Sequence, residues 1–245
     1  MRIDKYLFEK GLAKSRSYAA TMIDEKMVFC NGTLITKASY DVSDTDRVEI
    51  QGEILKYVSR GGLKLEKALT YFNIDPKGYV CADIGASTGG FTDCILQNGA
   101  SRVYAIDSGS EQLDQKLRND PRVISMENTN VRFMTAESLP EPCDIAVCDV
   151  SFISQTLLHP NIAAILKDSG IFLTLIKPQF EVGKSGLSKN GIVKSDDMRN
   201  KAKNAVIASA EANRFKLVGI TESPIRGGDG NIEYLAYFRL NKNQT

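Results

Sequence analysis

From Tyr79 to Leu240 the chain alternates two hydrophobic patterns. Short apolar runs stand at Tyr79–Ile84, Arg102–Asp107, Val123–Ser125, Cys143–Asp149, Ile171–Lys177, Phe215–Ile220 and Glu233–Leu240. Between most of them lie segments with apolar residues every three or four positions, near Phe91–Asn98, Glu111–Arg118, Ser154–Lys167 and Asp196–Asn213. The runs predict strands and the spaced segments predict helices. Cys-Asp-Ile-Ala-Val-Cys and Ile-Phe-Leu-Thr-Leu-Ile are apolar almost throughout, as strands of a parallel sheet covered on both faces are. The last two strands have no helix between them, so an antiparallel hairpin should close the sheet. One more helix, from Leu63 to Phe72 with Leu65, Leu69 and Phe72 on one side, precedes the first strand. The expected fold class is α/β, a Rossmann-like doubly wound sheet over 61–245.

The first fifty residues follow another pattern. Ile3 to Gly11 and Arg16 to Lys26 read as short helices, with Ser15 a candidate N-cap for the second. Val28 to Ile35 reads as a hairpin, because Asn31-Gly32 supplies the two left-handed residues of a type I′ turn. Val42 and Arg47–Ile50 offer another short strand. This is a small α+β unit over 1–54, followed by a basic, glycine-bearing linker over 55–60. A core this small is marginal, and such units usually dock or bind something.

The stretch Tyr79 to Gly90 narrows the chemistry. An apolar strand breaks at Gly85, and a helix starts after Gly89-Gly90, which presents backbone N–H groups to a small ligand. A dinucleotide fingerprint would need a second glycine where Ser87 stands. Asp83 before the turn can instead hold an ammonium group, such as the amino-acid end of S-adenosylmethionine. Asp107 follows a second strand 22 positions after Gly85 and can accept both hydrogen bonds of a ribose diol.

Composition changes this picture little. The 245 residues carry 42% apolar and 25% charged side chains and a net charge of +1, enough for a real core and silent about partners. Charge distribution says more. Arg2, Lys5, Lys10, Lys14, Arg16, Lys26 and Lys37 face only four acids in the first forty residues. Five scattered cysteines, with no Cys-x-x-Cys pair and no signal peptide, predict buried thiols in a reducing cytosol. No apolar run is long enough to span a membrane, and one histidine, His159, makes a transition-metal centre unexpected. His159 itself reads as a helix or loop residue without a special role.

Asp149 and Lys177 end successive strands and should point into the crevice that Gly85–Gly90 opens onto. Glu233 begins the last strand, and Lys64 precedes the first. Taken singly, Lys64 and Glu233 are compatible with surface charges. Together, two lysines and two carboxylates suit removal of the proton from a ribose 2′-hydroxyl, a poor nucleophile that needs a nearby base. A lysine serves when burial and a neighbouring cation depress its pKa. Phe-Glu-Val-Gly183-Lys184-Ser185 tempts toward a phosphate loop, but Pro178 stands where the earlier glycine is required. The long connection from Pro178 to Lys194 is expected to act as a flexible lid or substrate loop.

Specific stretches also resemble known families. Arg2-Ile-Asp-Lys-Tyr-Leu, Gly-Leu-Ala-Lys14-Ser-Arg16, Asn31-Gly32 and Lys37 resemble the S-four-type RNA-binding domain. Arg2, Lys14, Arg16 and Lys37 match its phosphate-facing positions, and Arg60 in the basic linker is added to that set. Lys64, Asp149, Lys177 and Glu233 match the Lys-Asp-Lys-Glu set of FtsJ-like ribose methyltransferases. Val-Ser-Arg-Gly-Gly-Leu-Lys64, Asp-Ile-Gly-Ala-Ser-Thr-Gly-Gly-Phe, Glu-Asn-Thr-Asn130-Val-Arg, Asp149-Val-Ser-Phe-Ile and Ile-Lys177-Pro-Gln-Phe-Glu resemble the TlyA (haemolysin A) family over essentially the whole chain. The resemblance implies an S-adenosylmethionine-dependent enzyme that methylates cytidine ribose 2′-O in ribosomal RNA. It implies that Lys177 is the base, with Asp149 beside it and the methyl donor, while Lys64 and Glu233 orient. Asp83, Gly85, Ala86, Ser87, Thr88, Gly89, Gly90 and Asp107 would hold the cofactor, with Asn130 and Val131 flanking the adenine. The chain lacks the tryptophan some members carry in the linker. It also lacks their short N-terminal extension, from which large-subunit rRNA is the expected target. A cytoplasmic monomer with no metal is expected. The competing classes are an RNA-binding protein with a dead methyltransferase domain and a membrane-lytic protein.

Overall fold

A computed structural model of the protein describes residues 1–13, 16–24, 26–51, 56–227 and 230–242. Lys14 and Ser15, named above, lie outside the described residues. The N-terminal unit has helices α1 (Ile3–Glu9) and α2 (Arg16–Asp24) and a small antiparallel sheet. Its strands are β1 (Val28–Cys30), β2 (Thr33–Leu34) and β3 (Val48–Ile50), in the order β2-β1-β3. Asn31 and Gly32 sit at φ of 51° and 77°, the two left-handed residues a type I′ turn requires. The Asn31 carboxamide accepts the Arg47 N–H and donates to Asp46, which ties the turn to the start of β3. Ile3, Leu7, Ala19, Met22, Ile23 and Val28 form the core of this unit. Val42 is buried there without belonging to a strand.

The second unit is a seven-stranded sheet with helices on both faces. In chain order it runs α3 (Gly61–Tyr71), β4 (Val80–Ile84), α4 (Gly90–Gln97), β5 (Arg102–Ile106), α5 (Gln115–Arg118) and β6 (Val123–Met126). There follow β7 (Cys143–Cys148), α6 (His159–Ile165), β8 (Leu166–Ile176), α7 (Asp196–Ala212), β9 (Phe215–Glu222) and β10 (Tyr234–Leu240). The strand order is β6-β5-β4-β7-β8-β10-β9. The first five of these are parallel, and β10 runs antiparallel to both β8 and β9, which gives the expected closing hairpin. Leu65, Leu69, Phe91 and Ile95 cover one face of the sheet, and Ile162, Ile165, Val206 and Ala210 cover the other. After β4 the chain moves outward on one side to β5 and β6 and later returns to the other side as β7. The gap beyond the carboxyl ends of β4, β5 and β7 is therefore the switch point where such sheets bind ligands.

Four local departures from the sequence pattern have physical causes. Tyr57 and Val58, expected in the linker, are buried in the second core, and the Val58 N–H donates to the Asp93 carboxylate at 2.9 Å. These two residues of the expected linker thus pack with the second unit. The helix expected from Glu111 forms only at Gln115–Arg118, because the Glu127 carboxylate captures the N–H groups of Glu111, Gln112 and Leu113. The helix expected to reach Lys167 stops at Ile165, since Leu166 already pairs with Cys143 and starts β8 five residues early. The Pro178–Lys194 connection carries two short 3-10 turns, at Pro178–Phe180 and Lys184–Gly186, and an antiparallel bridge from Leu187 to Val193.

The cysteines are all buried. His159 is part of the core: its Nδ1 meets Ser209 Oγ at 2.9 Å, and burial pulls its pKa down to about 4.

Candidate active site

The glycine turn is built by steric necessity. Gly85 and Gly89 have φ of 81° and 95°, where L side chains are strained. A Cβ on Gly85 would lie 2.6 Å from the Asp149 carbonyl oxygen, and one on Gly89 would lie 2.2 Å from Leu117 Cδ1. Ser87 takes a left-handed φ of 48° without being glycine, and its N–H donates to Asp107 Oδ2 at 2.8 Å. Asp107 Oδ1 accepts the Gly109 N–H at 2.7 Å. Each Asp107 oxygen thus has one acceptor site used, and a carboxylate oxygen offers about two. A vicinal diol fits what remains.

Beside this turn lies a cavity of about 470 Å³, within the range of small-molecule sites. Gly85, Ser87, Asp107, Asn130 and Val131 line it, with Ile84, Ile106 and Leu158 supplying apolar wall for a planar base. Asn130 caps a short 3-10 turn by accepting the Arg132 N–H, which fixes the Asn130-Val131 corner.

Asp83 lies deeper and is not among the residues that line either cavity. Its Oδ2 accepts Thr92 Oγ1 at 2.6 Å, while its Oδ1 is buried with no partner. Burial raises its pKa to about 7; the Thr92 bond opposes this, and the Asp149 and Asp107 charges add to it. A cation arriving at the turn would relieve that cost.

A second cavity, of about 390 Å³, opens on the other side of the turn. Lys64, Asp149 and Lys177 all line it, with Gly85, Ala86, Ser87, Thr88 and Gly90. Lys177 Nζ is 2.6 Å from Asp149 Oδ1 and donates to Ser151 Oγ at 2.9 Å. From α3, Lys64 Nζ donates to Glu233 Oε2 at 2.7 Å, and Glu233 is only 2% exposed. Gln179 donates to the other Glu233 oxygen at 3.3 Å, and Gly227 lies so close that a Cβ there would be 2.5 Å from it. Three of the four expected charged residues thus border one cavity, and Glu233 stands behind Lys64. Gly85, Ser87, Asp149 and Ser151 line both cavities, so the Asp149 wall stands between the first cavity and the lysines.

Several lining residues were not anticipated from the sequence. Ser108, Gly109, Gln112 and Arg226 belong to none of the stretches quoted above, and Thr129 and Ser151 stand inside two of them without an assigned role. Phe152 stands three residues after the strand-terminal Asp149, inside the Asp149-Val-Ser-Phe-Ile stretch. It is 92% exposed at a left-handed φ of 63°, and its ring centroid is 5.2 Å from that of Phe180. Glu181 accepts Ser154 Oγ and the Gln155 N–H, and so joins the loop after Asp149 to the loop after Lys177.

Arg60 lines the lysine cavity. Arg2 and Arg16 both bond to Asp4 in the N-terminal unit, and Lys37 is exposed there.

A doubly wound sheet whose switch point carries a glycine turn and three strand-end carboxylates is the frame of a methyltransferase. A family model described as FtsJ-like methyltransferase matches residues 57–240, and one described as S4 domain matches residues 1–48. The chain belongs to the FtsJ-like methyltransferase family. Hemolysin A of Brachyspira hyodysenteriae is 46% identical to it over 97% of this chain and 99% of its own length. The Mycobacterium tuberculosis relative named 16S/23S rRNA (cytidine-2'-O)-methyltransferase TlyA is 39% identical, covering 97% of this chain and 89% of its own. The Campylobacter jejuni 23S rRNA (cytidine-2'-O)-methyltransferase TlyA is 35% identical over 98% of this chain and all of its own. A solved hemolysin-like structure from Streptococcus thermophilus shares 43% identity and a TM-score of 0.78, over 99% of this chain and 89% of its own.

Proposed function

We propose that this chain methylates a cytidine ribose 2′-hydroxyl of ribosomal RNA, with S-adenosylmethionine as methyl donor. The observation that carries the reading is the shared wall: Asp149 and Ser151 border both the cavity beside Asp107 and Asn130 and the cavity lined by Lys64 and Lys177. Bound donor would supply an activated methyl group on a sulfonium. Asp107 and Ser87 would hold its ribose, Asn130 and Val131 its adenine, and the unpartnered Asp83 oxygen would balance its ammonium charge.

The remaining work falls to the side chains of the lysine cavity. Once Lys177 Nζ has given up a proton to solvent, its free amine receives the 2′-hydroxyl proton, and the Asp149 carboxylate at 2.6 Å stabilises the ammonium that re-forms. Ser151 fixes the Nζ direction. Lys64, locked to Glu233, keeps positive charge where a developing alkoxide oxygen would lie. Orientation supplies much of the rate, because the methyl donor needs no further activation. The N-terminal unit adds sequence-independent RNA affinity through Arg2, Arg16 and Lys37.

Large-subunit rRNA is the proposed target, on the strength of the 23S name of the Campylobacter jejuni relative. Purified protein, tritiated S-adenosylmethionine and separated ribosomal subunits provide the test. Label should enter the large subunit in a Lys177-dependent way. Label only in small subunits would overturn the subunit assignment, and none in either would overturn the activity. No helix among the described residues is long and apolar enough to cross a membrane.

A further inference from the structure

Asp4 takes no part in the chemistry above, yet among the described residues it accepts more side-chain bonds than any other carboxylate of the N-terminal unit. It sits in the first turn of α1 and is only 5% exposed. Arg2 Nε donates to its Oδ1 at 3.0 Å and Arg2 Nη2 to its Oδ2 at 3.4 Å. Arg16 Nε and Nη2 both donate to Oδ2, at 3.2 and 2.7 Å. Burial pushes the Asp4 carboxyl up, but the bonds from Arg16 and Arg2 outweigh it and hold the group below its ordinary range. Asp4 therefore stays ionised, with a cation on each side. Both arginine side chains are still 53% exposed. A guanidinium carries five N–H donors in a rigid plane, so the bonds to Asp4 leave donors on each for a second acceptor.

The same corner is braced from a third side. The Ile3 N–H donates to Tyr40 O at 2.7 Å and the Asp4 N–H to Ala38 O at 3.4 Å, which brings the turn after Lys37 against the start of α1.

We propose that Asp4 is a positioning residue that clamps Arg2 and Arg16 into a preformed fork for the RNA phosphate backbone. The inference rests on the reading of Arg2 and Arg16 as RNA contacts. A free arginine must give up rotamer freedom when it meets a phosphate; a clamped one has already done so. Without the clamp, each arginine would also sweep a wider volume and meet the phosphates one at a time.

The sign of one substitution separates positioning from simple charge. Asp4→Asn removes a negative charge next to a polyanion, so bulk electrostatics predicts tighter binding. Positioning predicts weaker binding. The experiment measures binding of the full chain to a fluorescein-labelled RNA hairpin by anisotropy, across a salt series. Asp4→Asn should weaken binding by about 3- to 10-fold and make the log–log salt slope shallower by roughly 1 to 2. In an Arg2→Gln/Arg16→Gln background the same change should have less than about a twofold effect. In methylation assays it should raise KM for RNA and leave kcat unchanged.

Tighter binding by Asp4→Asn, or an equal loss in both backgrounds, would overturn the positioning role alone. An Arg2→Gln/Arg16→Gln chain that binds as the parent does would overturn both the role and the RNA-contact reading. Should Asp4→Asn unfold the small unit, single Arg2→Gln and Arg16→Gln variants still decide. Their losses should be coupled through the shared carboxylate, and strictly additive losses would refute the clamp.

Discussion

Lys177 Nζ lies 2.6 Å from Asp149 Oδ1, across the ends of two neighbouring parallel strands. The pairing follows from topology. β7 and β8 adjoin and run the same way, so the residue after each projects over the same edge. Lys177→Met should therefore lower the methyl-transfer rate by about 10²- to 10⁴-fold, the usual contribution of a positioned base. Donor affinity, read by calorimetry, should change little. A comparable loss of donor affinity would show that Lys177 shapes the nucleoside pocket instead.

The Lys64–Glu233 pair makes a stability prediction. Both groups are largely buried, so removing one leaves an uncompensated charge. Lys64→Met should destabilise the folded chain by about 3–5 kcal/mol in urea denaturation, whereas Lys64→Met/Glu233→Leu should recover much of the loss. Equal destabilisation by single and double variants would mean that the pair matters through packing, not charge.

Asp83 gives a pH signature. Its folded pKa, about 7, lies above the ordinary 3.8, so the unfolded chain releases this proton first. Stability of the ligand-free protein should fall as pH rises from about 4 to about 7 and level off above that. Asp83→Asn should remove this component, and the gap between the two stability curves should close at low pH. Parallel curves throughout would refute the raised pKa.

Gly85 tests the turn. Alanine there meets both a left-handed φ and the Asp149 carbonyl oxygen. Gly85→Ala should cost about 1–3 kcal/mol and weaken donor binding measured by calorimetry. Unchanged donor affinity would place the ligand elsewhere.

Phe152 separates binding from folding. Being almost wholly exposed, it should be replaceable by alanine within about 0.5 kcal/mol of stability. If a base stacks on it, RNA kcat/KM should fall by the equivalent of about 1–3 kcal/mol. An unchanged kcat/KM would make it a bystander of the Phe180 contact.

Much of this was legible in the chain itself. The doubly wound sheet was, because strands covered on both faces are apolar throughout. The Asn31-Gly32 hairpin was, because few residue pairs accept its backbone. Asp149 and Lys177 were, because strand ends in such a sheet converge at one edge. What stayed hidden depends on distant partners. Glu127 unwinds the expected helix at Glu111 from 16 residues away, and nothing near Glu111 signals it. Leu166 joins β8 only because Cys143 is there to pair with it. Ser151 and Arg226 become site residues only when the loops fold over the glycine turn. Tyr57 looked like linker because its burial partners, Gly62 above all, lie beyond the basic stretch.

The most direct measurement is nucleoside mass spectrometry of large-subunit rRNA incubated with the pure protein and S-adenosylmethionine, beside the Lys177→Met variant. The expected result is one added methyl group on a cytidine ribose, present with the parent chain and absent with the variant. A methyl group on a base, or ribose methylation that survives loss of the Lys177 amine, would contradict the assignment.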